Sequence, residues 1–396
     1  RLLGLPGNPA SALVCAELAS AFPRTGGVYV FLKEGYSPAF AYLWGWAMFW
    51  SMHTGIIAAI ATVFARYLGH FIDLGDAGTR AAAVGAIVVL SAVNYVGVRW
   101  GSALQTLFTA IKLLAVLAIV ALGVAYFMEP GAGPPDAAPA GDGTASGFLQ
   151  AMVAGLSASG GCHMVTYAAE ETRDPTRTIP RALVIGTLIV TGAYIAVNAA
   201  YLAVLPLEQV VSSQRVAADF AGAVLGASAG SALAVLVIIS TLGGITGIIL
   251  AGPRVYLPMA RDGLIFPWMG ALHPRYRTPH VAIALQGIWA SVLVVTGSYR
   301  ALFTRVVYTE WIFFALMAAS LFVLRKRADY RPAYRVRAYQ LLAGAFVASS
   351  GAIVLHQIIT QPLESLTGLG LVAAGLPVYW YWTRSRASRN SASESG

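Results

Sequence analysis

Three ionisable side chains lie inside long apolar stretches of this 396-residue chain. Lys112 lies in "LFTAIKLLAVLAIV", His163 in "SGGCHMV" and Glu310 in "VVYTEWIFFALM". An ionised group in apolar surroundings is costly unless it is paired, loses its charge or faces water. Residues of this kind can hold a proton or bind a polar part of a ligand, so all three are candidates for such chemistry.

Each of these residues also has a simpler interpretation, which the sequence leaves open. The amine of Lys112 could extend along apolar surface to reach polar surroundings. His163 could be a hydrogen-bonded residue of the protein interior. Glu310 could lie at an external surface beside Arg305, five residues upstream.

A second candidate site is a break in an otherwise apolar helix, "VAGLSASGGCHMVTYAAEETRDPTRTIPR". An interior glycine weakens a helix by about 1 kcal/mol relative to alanine, and a break releases backbone groups that need partners. A binding cavity would supply those partners, whereas close helix packing through small residues is the alternative. The candidate binding residues at the break are Ser157, Ala158, Ser159, Gly160, Gly161, Cys162 and His163.

Enzymatic chemistry is not indicated by the spacing of these residues. Cys162 and His163 are adjacent, so in a helix they do not face each other as a nucleophile and its base must. The segment "GLSASG" does not match the G-x-S-x-G spacing, and the chain has no HExxH, CxxC or phosphate-binding loop. We therefore expect neither an enzyme nor a nucleotide-driven pump, and no metal or other cofactor.

The elements that must position the candidates are helices that span a membrane. The chain is 58% hydrophobic and 11% charged, whereas a soluble domain has about 25% charged residues. Apolar runs long enough to cross a bilayer recur along it, and they are too evenly apolar for barrel strands. The eleven predicted spans are 8–32, 40–64, 81–98, 103–127, 148–169, 182–205, 229–252, 280–297, 302–324, 339–358 and 364–382.

The net charge of +9 reports orientation rather than nucleic-acid binding. Nineteen of the 26 Lys and Arg residues fall in alternate connections, six fall in the others, and Lys112 lies within a span. By the positive-inside rule the richer side is cytoplasmic, which also places the C-terminus there. We predict an external loop at "EPGAGPPDAAPAGDGTASG", a cytoplasmic tail over 383–396 and disorder in its last part, "SRASRNSASESG".

Several motifs in order resemble the amino acid, polyamine and organocation superfamily of transporters, and its L-type amino-acid branch in particular. They are "CAELASAFPRTGGVYVFLKEGY", "LQTLFTAIKLLAVLAIVALGVAYF", "YAAEETRDPTRTIPRALVIG", "GITGIILAGPRVYLPMARDGLIF" and "LFVLRKRADYRPAYRV". The resemblance implies an all-α polytopic LeuT-type fold, in which five helices are repeated upside down and two more are appended. It also identifies "LSASGG" as the broken part of the sixth family helix, which contacts substrate.

The same resemblance implies one transporter domain over 1–382, with about eleven of twelve family helices present. Its parts would be helices two to five in 1–127, the second repeat in 148–324 and two added helices in 339–382, followed by the tail. Because the first repeat has four spans against five in the second, we expect the first family helix to be missing from the N-terminus.

Further roles follow from the matching family positions. Lys112 matches a fifth-helix lysine whose amine takes the place of sodium in sodium-independent relatives. Ser240, Thr241 and Gly244 fall in the eighth helix and could line that ion-like site, although such residues also serve as interhelical contacts. Glu310 lies where the L-type branch can have a pocket-facing asparagine. Ser157 replaces the family's aromatic gate, which implies a roomier and more polar pocket.

Acidic residues near the helix ends have a predicted structural role. We expect them to organise cytoplasmic arginines rather than touch substrate. The acids are Glu17, Glu170 and Glu171, and the expected partners are Arg24, Arg173 and Arg181.

Together these features predict a secondary-active amino acid permease that works by alternating access. Sodium-independent transport, either proton-linked or by exchange, is expected, and a polyamine or other cationic substrate is the alternative to a neutral amino acid. A channel or a non-transporting membrane protein is the remaining rival. The expected location is a bacterial-type inner membrane.

The predicted partners are the amino acid or amine substrate and the lipid bilayer. L-type relatives in animals are tethered to a heavy subunit through a cysteine after the third helix, but "RYLGHFIDLGDAGTR" contains none. We therefore expect no disulfide-linked subunit. Cys15 and Cys162 both lie in apolar segments, which indicates small interior residues rather than a disulfide framework.

Overall fold

The structure is a computed structural model that describes residues 7–129, 161–213, 216–226, 229–297 and 299–394. Within these ranges the regular structure is helical and there is no β-strand. The helices are α1 (Gly7–Ala21), α2 (Val28–Gly35), α3 (Pro38–Ala47), α4 (His53–Leu68), α5 (Gly75–Val96), α6 (Val98–Phe127), α7 (Pro175–Val204), α8 (Leu207–Ser212), α9 (Val216–Leu225), α10 (Ala229–Ala251), α11 (Pro253–Arg261), α12 (His280–Thr296), α13 (Tyr299–Leu324), α14 (Tyr339–Thr360), α15 (Pro362–Ala373) and α16 (Gly375–Glu394).

Three short segments complete these elements. A π-helical turn, Met48–Met52, joins α3 to α4, and 3-10 helices cover Cys162–Glu171 and Pro267–Gly270. We refer to Cys162–Glu171 as the 3-10 helix. It packs against α1, α2, α7, α10 and α11.

Six helical runs among the described residues are long and apolar enough to cross a membrane. They are Pro38–Leu68, Gly75–Val96, Val98–Phe127, Pro175–Val204, Ala229–Arg261 and Tyr339–Thr360. Large apolar side chains on α6 and α7, such as Leu114 and Leu188, are more than 60% exposed, as expected where helices face lipid. The predicted all-α polytopic membrane fold is thus confirmed, while the repeat arrangement and the domain boundaries stay predictions.

The predicted span 8–32 is wrong as a single helix. The chain leaves α1 at Ala21 and turns through "FPRTGG" before α2 begins at Val28. Pro23 disfavours continued helix, and Gly26 and Gly27 take positive φ angles of 110° and 48° that other residues rarely adopt. The span 364–382 is likewise divided, since α15 ends at Ala373 and α16 begins at Gly375.

The predicted disorder of the tail is also wrong, because α16 continues as helix to Glu394. Its last part, "RSRASRNSASE", contains neither proline nor glycine, so nothing in it blocks the backbone hydrogen bonds that extend a helix. Residues 130–160, including the predicted external loop, lie outside the described part of the chain.

Two hydrophobic cores organise the helices. One contains large side chains from α1, α2, α3, the 3-10 helix, α11 and α13, with Trp44, Tyr167 and Tyr256 all buried. The other joins α4, α5, α10 and α12 through aliphatic residues such as Ile57, Ile87 and Ile245. The bundle therefore has an aromatic part around the 3-10 helix and an aliphatic part beside it.

Ion pairs lie together at one end of the bundle. We call the surface that contains Glu170, Glu171, Arg254 and Arg261 the charged face. Glu171 receives two hydrogen bonds of 2.7 Å from Arg254 of α11, and Glu170 pairs with Arg261 at 2.9 Å. Partial burial raises the pKa of Glu170, but hydrogen bonds from Arg261 and the Thr25 amide lower it further, so its pKa lies below the ordinary value. These contacts fasten the end of the 3-10 helix to α11.

The expected arginine partners of the three acids were wrong. Glu17 is fully buried and binds Arg325, at 2.8 Å to Nε and 2.5 Å to Nη2, rather than Arg24. Glu170 and Glu171 pair with Arg261 and Arg254, neither of which belongs to the segment that follows them. All three acids nevertheless pair with arginines, although with different ones from those predicted.

Candidate functional site

The 3-10 helix begins at a glycine in a left-handed conformation. Gly161 has a φ of 100°, and its carbonyl accepts a hydrogen bond from the Met164 amide. A regular α-helix cannot pass through this conformation, so the 3-10 helix begins at the second glycine of "SGGC" rather than continuing a regular helix through it. Ser157, Ala158, Ser159 and Gly160, which form the rest of the predicted break, lie outside the described residues.

His163 lies within a cluster of aromatic rings. Its ring centroid is 4.8 Å from that of Phe314, 5.5 Å from Tyr167 and 6.0 Å from Trp44, with edge-to-face geometry. The side chain is 1% exposed, and its Nε2 has no hydrogen-bond partner among the described residues. His163 is therefore held by packing against rings and retains a free polar atom.

Glu310 of α13 lies near the same helix. Its carboxylate is within electrostatic range of the Cys162 thiol and the Tyr167 hydroxyl. Cys162 in turn is within hydrogen-bonding range of the Ser11 side chain of α1. The structure thus brings Gly161, Cys162, His163 and Glu310 together at the start of the 3-10 helix.

Lys112 belongs to a second group, on α6 and α10. A Cβ atom at Gly243 would lie 2.8 Å from the Cβ of Phe108 and 3.4 Å from the Cε of Lys112. Because glycine has no side chain, Gly243 leaves room for the aliphatic part of the Lys112 side chain to pass across α10. Ser240 lies one turn earlier on this face of α10, since residues three apart are neighbours on a helix.

The other two α10 candidates have different surroundings. Gly244 lies against α4, where an added Cβ would be 3.5 Å from Ile60, so it is not on the Lys112 side. The Thr241 hydroxyl donates to the carbonyls of Val237 and Ile238, both at 2.8 Å. Its proton is used within the helix, and only its lone pairs remain to bind a cation or an amine.

The arrangement around Gly161 combines backbone polar groups, a carboxylate and aromatic rings. Backbone groups released by an interrupted helix accept and donate hydrogen bonds in surroundings that are otherwise apolar, where such bonds are strong. Glu310 adds a carboxylate that can take a proton or face an amine, and the rings add apolar walls. The chemistry available is recognition and proton binding, with no activated nucleophile.

Comparison with known proteins decides the class of this membrane protein. A family profile described as amino acid permease matches residues 3–376. The chain belongs to the amino acid permease family. It is therefore a transporter rather than an enzyme, and an integral membrane protein.

Related transporters align over nearly the whole permease. The serine/threonine exchanger SteT of Bacillus subtilis is 29% identical over 388 residues, covering 96% of this chain and 86% of SteT. The human b(0,+)-type amino acid transporter 1 is 29% identical over 377 residues, covering 93% and 77% respectively. The rabbit large neutral amino acids transporter small subunit 2 is 28% identical over 388 residues, covering 94% and 71%.

The sequence interpretation missed three residues of the permease's aromatic part, namely Trp44, His53 and Tyr167. All are at most 1% exposed; neither ring nitrogen of His53 has a hydrogen-bond partner in the described ranges, and the Trp44 Nε1 lies within hydrogen-bonding range of the Tyr167 hydroxyl. His53 carried the same signal as Lys112, since it is a lone ionisable residue in the apolar stretch "FWSMHTGIIAAI". Trp44 and Tyr167 carried no distinguishing signal, because aromatic residues are common in membrane helices.

Proposed function

We propose that this permease exchanges amino acids across the membrane by alternating access, without using sodium. The observation that carries the proposal is the left-handed Gly161 at the start of the 3-10 helix, which is followed by His163 in the aromatic cluster and has Glu310 within electrostatic range of Cys162 and Tyr167. An apolar bundle gains nothing in stability from such a break, because the released backbone groups must be satisfied. A bound amino acid, with a carboxylate and an amine on one carbon, would satisfy them.

Exchange of small polar amino acids is supported by a relative. SteT is named as a serine/threonine exchanger and aligns with 96% of this chain. We therefore take L-serine as the first substrate to test. A cationic substrate is the second candidate, because the Glu310 carboxylate faces the site.

The moving parts that we propose follow the two cores. The 3-10 helix, α1 and α7 pack on one another and would move as one group, while α4, α5, α10 and α12 share the aliphatic core and would stay fixed. The Glu171–Arg254 and Glu170–Arg261 pairs join the 3-10 helix to α11. These pairs would have to break when the charged face opens.

We propose that the charged face is cytoplasmic, because most Lys and Arg residues lie in the connections between spans on that side of the membrane. We also propose that no subunit is attached through a disulfide. Cys15 is fully buried with its thiol 3.6 Å from the Met317 sulfur, and Cys162 is mostly enclosed. The burial of Cys15 and the partial burial of Cys162 support this proposal.

Two measurements test sodium independence. One replaces sodium in the medium, and the other replaces Lys112, the residue proposed to take the place of the sodium ion. Counterflow of labelled L-serine into proteoliposomes should be unchanged when choline replaces sodium. Lys112→Ala should lower counterflow by about tenfold or more if the amine takes the place of a bound cation, because one charged hydrogen bond formed there would contribute about 1.5–3 kcal/mol. Thr109→Ala, on the same helix, should exchange normally. Sodium-dependent counterflow, or a normal Lys112→Ala variant, would contradict this role.

Glu310→Gln tests whether this carboxylate holds a proton. The substitution keeps the shape of the side chain and removes its titration, so we expect the pH dependence of serine exchange to change. If instead Glu310 selects a cationic substrate, competition by arginine and lysine should disappear and the pH profile should stay the same. A variant unchanged in both measurements would remove Glu310 from the site.

A further inference from the structure

A buried histidine outside the predicted site has neither of its ring nitrogens satisfied. His53 is the first residue of α4 and is 1% exposed. Neither Nδ1 nor Nε2 has a hydrogen-bond partner among the residues that the structure describes. Buried polar side-chain atoms are usually paired, so two free nitrogens on one ring require an explanation.

His53 lies between the 3-10 helix and the junction of α10 with α11. On one side its ring centroid is 6.1 Å from that of Tyr167. On the other side lies Gly252. A Cβ atom added to this glycine would be 3.0 Å from Nδ1 of His53 and 2.5 Å from Oε1 of Gln286, which is a neutral residue of α12. The imidazole thus occupies the boundary between the 3-10 helix and the aliphatic core.

Among the described residues, no carboxylate pairs with His53 to offset a positive charge on the ring. The titratable neighbours are His163 and Tyr167 of the 3-10 helix, and the tyrosine lies within electrostatic range of Tyr256 of α11, Cys15 of α1 and Glu310 of α13. An imidazolium would therefore be buried without a counter-ion, which is strongly unfavourable.

We propose that His53 is a proton-binding residue of the transport cycle, neutral while the 3-10 helix is packed against α11 and protonated only after they separate. Water that enters the opened boundary would solvate the imidazolium. On closing, one ring N–H bond breaks and its proton passes to that water, leaving the neutral ring that the packed structure accommodates. Each opening can then take up one proton and each closing must release it. This inference rests on the proposed exchange function.

The consequence is inhibition by acid. If the opened form titrates near histidine's ordinary pKa of about 6.5, acidification from pH 7.5 to 5.5 shifts the balance from closed to open by about tenfold. Exchange requires the boundary to close in every cycle. Its rate should therefore fall as the imidazolium accumulates.

The experiment measures serine counterflow in proteoliposomes with equal internal and external pH, from 5.5 to 7.5. We expect the unmodified permease to slow by about tenfold at the acid end. His53→Gln, which keeps a polar side chain but cannot take up a proton in this range, should lose most of this acid inhibition, and any pH dependence that remains would be assigned to Glu310. His70→Gln is the matched control, because His70 is exposed and hydrogen-bonded to Ser231, and it should behave like the unmodified protein.

Two results would overturn the proposal. One is a flat pH profile in the unmodified permease, which decides the matter even if His53→Gln fails to fold. The other is a His53→Gln variant that keeps the full acid inhibition. Absence of serine counterflow at every pH would instead count against the proposed function and its first substrate, so the two failures can be told apart.

Discussion

Replacing Arg325 with methionine should lower the free energy of unfolding by about 3–5 kcal/mol, the largest effect that we expect from a substitution outside the site. Arg325 holds the carboxylate of Glu17 with two hydrogen bonds, and Glu17 has no exposed surface. Methionine keeps much of the apolar stem but removes the charge. The carboxylate then stays buried, and its remaining partners among the described residues are the Val336 amide at 2.7 Å and the Tyr330 hydroxyl at 3.3 Å.

Denaturation of the purified permease, followed by loss of helical signal, would measure the effect. The double variant Glu17→Gln/Arg325→Met should recover part of the loss, because it no longer buries an unpaired charge. Lys326→Met, at the exposed neighbouring position, should stay within about 0.5 kcal/mol of the parent. A loss below about 1 kcal/mol for Arg325→Met would mean that Glu17 finds another partner or takes up a proton.

Gly161→Ala should weaken serine binding by about 5–150-fold, which corresponds to a backbone strain of about 1–3 kcal/mol. The reason is conformational rather than steric. No described atom lies within 4 Å of an added Cβ, but the φ of 100° is one that alanine rarely adopts. Alanine would draw the backbone towards ordinary helix and move the groups released at the break.

Calorimetric titration of the detergent-solubilised permease with L-serine would report the affinity, and thermal unfolding would report the stability of the fold. Gly192→Ala is a suitable control, because Gly192 lies within α7 with open space around it. That change should leave affinity unaltered and add a few tenths to about 1 kcal/mol of stability. Equal affinity in Gly161→Ala and the parent would show that the left-handed glycine is not part of the binding site.

The helical membrane fold could be predicted because its signal is local. Runs of apolar residues and the distribution of Lys and Arg do not depend on which helix packs against which. The turn within 8–32 was missed because the apolar run continues beyond "PRTGG" into α2, although α2 packs in the protein interior. Hydropathy alone does not distinguish a buried interior helix from a membrane span.

Partners across the bundle could not be predicted in the same way. Glu17 and Arg325 are separated by 308 positions, so charge pattern near either residue does not reveal the other. Lys112 was singled out from its own segment, but its contact with Gly243 depends on how closely α6 approaches α10. His53 was overlooked because its significance lies in what surrounds it rather than in any motif.

The π-helical turn at Met48–Met52 sets the rotational phase between α3 and α4. In an uninterrupted α-helix, with about 100° of rotation per residue, Trp44 and His53 would point in opposite directions. A π turn accommodates one extra residue, so the two side chains differ instead by roughly 80°. Both can then contact the 3-10 helix, through His163 and Tyr167 respectively. A relative lacking one residue in this stretch would present a different side of α4 to the 3-10 helix, and a histidine aligned with His53 would point elsewhere.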